Sequence, residues 1–211
     1  MCRGLFLDLD GTLADSLPVL QGVYRSFLGH FGIQGNDAEF QKINGPPLRQ
    51  VVSILREARA LDEPLEVLYE LYLSLLVDAH HAVRPAAGAE AVLALAKQRG
   101  WVVTVVTSSP SAQTKLWLER ENLHRYVDGV VGGDDVPRGK PAPDPYRLAL
   151  GRSGCRPEVS FAVEDSLQGG LSACGAGLPL WFLGAAAPEI LVESPLFQGV
   201  LPGFSNLSNV L

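Results

Sequence analysis

The sequence predicts an α/β protein: a parallel sheet with helices on both faces, interrupted by an all-helical unit inserted near the N-terminus. Three observations carry this reading. Short β-prone runs alternate with segments of helical periodicity from residue 85 onward. The stretch 15–84 shows helical periodicity alone and stands outside that rhythm. The chain opens on an apolar run, Leu5-Phe6-Leu7, that meets Asp8 and Asp10 at once, as a buried strand emptying onto a polar edge would.

Taken in order, Gly4 to Leu9 reads as the first strand, followed by a turn at Gly11-Thr12. From Leu17 to about Val83 apolar residues recur at helical spacing. Val19, Val23, Phe27 and Phe31 form one set, Leu48, Val51, Val52 and Leu55 a second, and Leu65, Leu68, Leu71, Tyr72 and Leu75 a third. Gly45-Pro46-Pro47 separates two of these helices, and Pro47 suits a first helical turn, where its missing N–H is not needed. A helix follows from Gly88 to Arg99, stopped by Gly100. Trp101 to Val106 is the continuous β-prone run that a strand buried on both faces requires. Further helices are predicted from Gln113 to Glu121, Pro145 to Arg152 and Gln168 to Cys174. Further strands fit Gly129 to Val131, Ser160 to Val163 and the apolar run Leu178 to Leu183. The domain reading is a Rossmann-like core at 1–14 and 85–211 with a helical domain at 15–84.

Composition sets outer limits. The 211 residues are 47% apolar, enough for one core domain and a smaller insertion. A net charge of −6 argues against a nucleic-acid partner, because phosphate backbones attract clustered Lys and Arg. It leaves room for a small phosphorylated substrate, since a bound metal can supply the positive charge locally. The first apolar run is too short for a signal peptide or a membrane span, so a cytoplasmic protein without membrane contact is predicted. Cys2, Cys155 and Cys174 form no CxxC pair and read as three reduced thiols, neither a zinc site nor a disulfide framework. The expected state is a monomer or a small homo-oligomer.

Ligands of open α/β sheets bind beyond the carboxyl ends of the strands, so the residues that follow each strand matter most. The first strand runs into Asp8-Leu9-Asp10-Gly11-Thr12, and the second ends at Thr107-Ser108-Ser109. Lys140 lies in Gly139-Lys140-Pro141 after the third, and the fourth ends at Glu164-Asp165-Ser166. Carboxylates are hard oxygen ligands suited to Mg²⁺. A carboxylate can also attack phosphorus and form an aspartyl-phosphate. The transferring phosphoryl group needs cations and hydrogen-bond donors, which Lys140, Thr107, Ser108 and the backbone N–H groups near Gly11 could supply. Asp8 and Asp10 stand two apart, so ideal strand geometry would put both on one face.

At these residues the sequence resembles the haloacid-dehalogenase-like hydrolase superfamily. Asp8-Leu9-Asp10-Gly11-Thr12-Leu13 matches its DxDGT motif, and Val102 to Val106 followed by Thr107 matches its second motif. Gly139-Lys140-Pro141-Ala142-Pro143-Asp144-Pro145 and Glu164-Asp165-Ser166 with Gly169 resemble the third and fourth. All occur in the family's order, with a helical cap inserted after the first. The resemblance implies a phosphatase with Asp8 as nucleophile and Asp10 as general acid and base. It implies Mg²⁺ bound by Asp8, Asp165 and the main-chain carbonyl of Asp10, with Glu164 a ligand or its neighbour. Gly11, Thr12, Thr107, Ser108 and Lys140 would hold the phosphoryl group. Cap type and Asp15-Ser16 resemble the phosphoglycolate-phosphatase and β-phosphoglucomutase branch. A sugar phosphomutase is therefore the alternative reading, and a non-catalytic binding member of the fold a weaker one. A lone Arg on a helix is more often a solvated charge, yet Arg49 follows the Gly-Pro-Pro break and is the candidate substrate contact from the cap.

Overall fold

The computed structural model describes residues 2–44 and 46–211. The chain divides into two compact units, one formed by the residues up to Asp15 together with Pro85–Leu211, the other by Ser16–Arg84. β1 (Arg3–Leu7) opens the chain, and β2 (Ala14–Asp15) leads to four helices: α1 (Leu17–Gly29), α2 (Asp37–Ile43), α3 (Leu48–Arg59) and α4 (Leu65–His80). After β3 (Arg84–Pro85) come α5 (Ala89–Gln98), β4 (Trp101–Val106), α6 (Ser111–Arg120), β5 (Gly129–Val131) and α7 (Asp144–Ser153). The chain continues through β6 (Phe161–Glu164), α8 (Leu167–Gly175), β7 (Leu180–Leu183), α9 (Glu189–Val192) and β8 (Phe197–Leu201).

Six of these strands form one parallel sheet in the order β5-β4-β1-β6-β7-β8. β1 lies inside it with Leu5, Phe6 and Leu7 fully buried, which explains its unbroken apolar run. From β1 the chain winds outward through β4 to β5, then returns to β6 on the other side and winds outward again. The strand order therefore reverses between β1 and β6, the point at which such sheets leave a crevice at their carboxyl edge. Register aims the chemistry there. Leu7 lies opposite Val105 on one side and Val163 on the other, so Asp8, Thr107 and Glu164 emerge close to one edge. Beneath it Phe6, Val106, Val131, Tyr146, Ala162 and Leu180 form a continuous core.

The helical unit has its own core, built on Tyr24, Phe27, Phe40, Val52, Leu55, Leu68 and Tyr72. α3 shows the cause: Val51, Val52 and Leu55 point inward while Arg49 and Arg56 stay exposed. Arg59 donates to both oxygens of Glu39, at 2.9 and 2.6 Å, and the Tyr24 hydroxyl donates to the same carboxylate, tying α1, α2 and α3 together.

Several expectations need correction. β1 stops at Leu7, and Asp8 to Leu13 form a turn closed by Ala14 N donating to Leu9 O at 2.8 Å, so the strand-face argument for Asp8 and Asp10 does not apply. Pro47 stands at the N-cap of α3 rather than inside its first turn; Gly45 of the same break lies outside the described residues. β2, β3, α9 and β8 were not anticipated, and Asp15 and Arg84, at the limits of the stretch read as all-helical, lie in the first two of these. The reading of three reduced thiols also fails. Cys2 and Cys155 are disulfide-bonded with Cα atoms 4.8 Å apart, and Cys174 is free. Cys2 precedes β1 and Cys155 precedes β6, and parallel neighbours bring their starts together across 153 residues of sequence. The cysteines therefore no longer argue for a reducing compartment. No helix among the described residues is long and apolar enough to cross a membrane.

Candidate active site

The centre of the site is a buried ammonium group. Lys140 Nζ donates to Asp8 Oδ1 at 2.6 Å, to Val106 O at 2.8 Å and to Glu164 Oε1 at 2.6 Å. An ammonium group has three N–H bonds, so protein oxygens take all of them. The Tyr146 hydroxyl donates to the same Glu164 Oε1 at 2.6 Å, and the Lys140 ammonium sits 5.5 Å from the Tyr146 ring centroid. Lys140 is 5% exposed and Glu164 fully buried, so these contacts operate in a low local dielectric.

Burial and charge compete at each group. Burial works against the Lys140 ammonium, but the carboxylates of Asp8 and Glu164 together outweigh it and hold the group above its ordinary range. Burial raises Asp8 above the usual carboxylate value, against the pull of Lys140. It also pushes Glu164 up to about 7, helped by the charge of Asp8. Asp165 is raised well above its ordinary value by burial and then by the charges of Asp8 and Glu164. Three carboxylates with one lysine leave an excess of negative charge, which favours a further cation or bound protons.

Asp8, Glu164 and Asp165 each offer an oxygen within 4.8 Å of the others. This hard, all-oxygen donor set fits Mg²⁺. Asp165 follows β6 directly, and its Oδ1 accepts a 3.4 Å hydrogen bond from Thr12 Oγ1, which links the first turn to the fourth strand end. Asp10 lies at the turn, half-buried, and Ser109 Oγ donates to its Oδ2 at 3.0 Å. The loop that carries Ser109 is braced by Gly133 N donating to Ser109 O at 3.0 Å and Ser111 N donating to Asp134 Oδ1 at 2.8 Å.

The other predicted residues are placed as follows. Gly11 adopts φ +84°, which only a glycine takes without strain, and its N–H donates to Ala14 O at 2.9 Å. Thr12 N already donates to Leu9 O at 3.2 Å, whereas Thr107 Oγ1 accepts from Ser109 N at 3.0 Å and keeps its own O–H to donate to a phosphoryl oxygen. Ser108 is half-buried in the loop after β4. Arg49 lies in the helical unit, exposed, with its guanidinium paired to Glu66.

The sequence reading missed Ser109 as a partner of Asp10 and missed Tyr146 altogether. A signal for Tyr146 existed: it is a hydroxyl on the apolar face of α7, between Pro145 and Ala149, and a buried phenol needs an acceptor.

Comparison with known proteins bears on this geometry. The model of the haloacid dehalogenase-like hydrolase family matches residues 5–182. Fructose-1-phosphate phosphatase YqaB of Escherichia coli K12 is 31% identical, over 83% of this chain and 93% of that protein. A phosphorylated carbohydrates phosphatase of Thermotoga maritima is 30% identical, over 83% of this chain and 82% of that protein. Phosphoglycolate phosphatase 1 of Pseudomonas aeruginosa is 28% identical, over 83% of this chain and 67% of that protein. The fold also superposes on CbbY from Rhodobacter sphaeroides in complex with phosphate, with a TM-score of 0.80, 22% identity and coverage of 98% and 96% of the two chains.

Proposed function

The chain belongs to the haloacid dehalogenase-like hydrolase family and is a phosphatase, and on that premise we propose that it hydrolyses a small phosphorylated sugar or 2-carbon acid through an aspartyl-phosphate on Asp8. The observation that carries the reading is the Asp8 carboxylate at the carboxyl end of β1, held by one oxygen on buried Lys140 and facing Asp165. Lys140 fixes Asp8 and leaves its other oxygen for attack on phosphorus. The bond from phosphorus to the ester oxygen breaks as the bond to Asp8 forms. Asp10, oriented by Ser109, gives its proton to the departing oxygen. In the second half Asp10 takes a proton from water, which attacks the phosphorus and frees Asp8. Asp8, Asp165 and the main-chain carbonyl of Asp10 would hold Mg²⁺, with Glu164 beside them. When bound, Mg²⁺ supplies positive charge against the phosphoryl oxygens. The family resemblance makes the helical unit a cap and Arg49, paired with Glu66 in this structure, its proposed contact for an anionic group of the substrate.

The test is a panel of phosphate esters, including fructose 1-phosphate and 2-phosphoglycolate, assayed with Mg²⁺ and with a chelator. Free phosphate released only with Mg²⁺ is the expected result. An isomeric sugar phosphate in place of free phosphate would favour a mutase. No product from any ester would remove the catalytic reading.

A further inference from the structure

Glu164 sits where two duties compete. Its carboxylate is close enough to Asp8 and Asp165 to join a metal shell, and it also holds Lys140. The groups around it decide between them. Oε1 accepts two hydrogen bonds of 2.6 Å, from Lys140 Nζ and from the Tyr146 hydroxyl. Oε2 lies at the start of α8, where Ser166 Oγ donates to it at 3.4 Å. The whole carboxylate rests against the Cα of Gly169, so close that a Cβ there would overlap all three of its terminal atoms. Gly169 N in turn donates to Ser166 Oγ at 3.1 Å and keeps that hydroxyl in place. The carboxylate is thus enclosed by a phenol on α7, an ammonium group and the first turn of α8.

We infer that Tyr146 is a positioning residue that, together with the gap left by Gly169, commits Glu164 to Lys140 and away from the metal. Glu164 then serves as the second counter-charge that keeps Lys140 fixed on Asp8. Asp8 and Asp165 are the carboxylates left to bind a cation. Tyr146 touches no reacting atom; it acts through Glu164 and Lys140.

The kinetic half of the test rests on the phosphatase reading, whereas the binding half needs no substrate. Tyr146→Phe removes one hydroxyl and keeps every charge. Gly169→Ala keeps the hydroxyl and forces the carboxylate out of its place. Each variant of the full chain is titrated with Mn²⁺ alone, followed by electron paramagnetic resonance, and assayed with an aryl phosphate in saturating Mg²⁺ well below its melting temperature. Both variants are expected to bind Mn²⁺ no worse than about twofold below wild type while kcat falls about tenfold or more, the range seen when an outer partner of a site is lost. Mn²⁺ binding weakened about 10- to 100-fold, as when a ligand loses its orienting partner, would make Glu164 a ligand and overturn the inference. An unchanged kcat in Tyr146→Phe would also overturn it, because the hydroxyl would then position nothing. A wild-type chain that hydrolyses no ester would sink the proposed function and leave the Mn²⁺ result to decide the duty of Glu164. Two variants with unrelated side-chain changes keep the question open if one of them fails to fold.

Discussion

At the scale of single residues, Asp8 and Asp10 differ in surroundings and should differ in failure. Asp8 is buried and locked on Lys140; Asp10 is half-buried and held by Ser109. Asp8→Asn removes the anionic nucleophile, and steady-state turnover should fall to background. Asp10→Asn keeps the main-chain carbonyl and loses the proton carrier. Hydrolysis of a sugar phosphate should drop about 10²–10⁴-fold, while an aryl phosphate, which needs little leaving-group protonation, should suffer less in its first step. Equal losses on both substrates would contradict the acid–base role. The carboxylates also predict a pH effect. Burial lifts Glu164 from 4.5 to about 7, so between these values the metal-free folded protein holds a proton that the unfolded chain has released. That contribution to stability is present below 4.5 and is lost as pH rises through about 7. Asp8 and Asp165 are raised in the same direction. Because carboxylates bind metal deprotonated, Mg²⁺ should raise the melting temperature more at about pH 8 than at about pH 6. Scanning calorimetry checks this, and equal shifts at both values would contradict it. The Asp, Lys and Glu positions were readable in the sequence because each closes a strand or a Gly-Pro loop. Tyr146 left only the hint of a phenol on an apolar helix face; its acceptor, Glu164, is set by the packing of α7 against the sheet.

At the scale of elements, what could be read followed burial. Trp101–Val106 is a strand at the predicted limits because it lies inside the parallel sheet and, Thr104 apart, is an unbroken apolar run; Gly129–Val131 also keeps its predicted limits, at the edge of the sheet. α1, α3 and α4 showed themselves by the apolar stripe that now fills one core. α9 spans four residues, too few to display a helical period, and β8 is an edge strand interrupted by Gln198 and Gly199, so neither left a pattern to detect. The helical unit offers its own test. Phe27 is fully buried at 5.0 Å from the Tyr72 ring and 5.5 Å from Phe31. Phe27→Ala should destabilise that unit by about 3–5 kcal/mol through the cavity it leaves. Hydrogen exchange should show α1, α3 and α4 amides opening faster while β1 and β4 amides hold their protection. Uniform loss across both units would contradict separate cores.

At the scale of the whole molecule, long-range pairing was the part that local pattern could not reach. Cys2 and Cys155 meet only because β1 and β6 are parallel neighbours, and no spacing rule links residues 153 apart. The same neighbourhood, read at the opposite edge of the sheet, joins Asp8 to Glu164 and Asp165. The fold thus gathers the charges of three separated motifs into one cluster, with the second motif supplying the Val106 carbonyl, and the proposed chemistry depends on that assembly. Chelation should abolish turnover and added Mg²⁺ restore it. The covalent intermediate is tested most directly by phosphoryl trapping in Asp10→Asn. An aryl phosphate with a radiolabelled phosphoryl group is mixed with the variant and Mg²⁺, quenched in acid at short times, and the labelled peptide is identified. Label on the peptide that carries Asp8, rising to a fraction of the sites before steady release of phosphate, is the expected result. Several turnovers of free phosphate with no label on Asp8 at any time would contradict it.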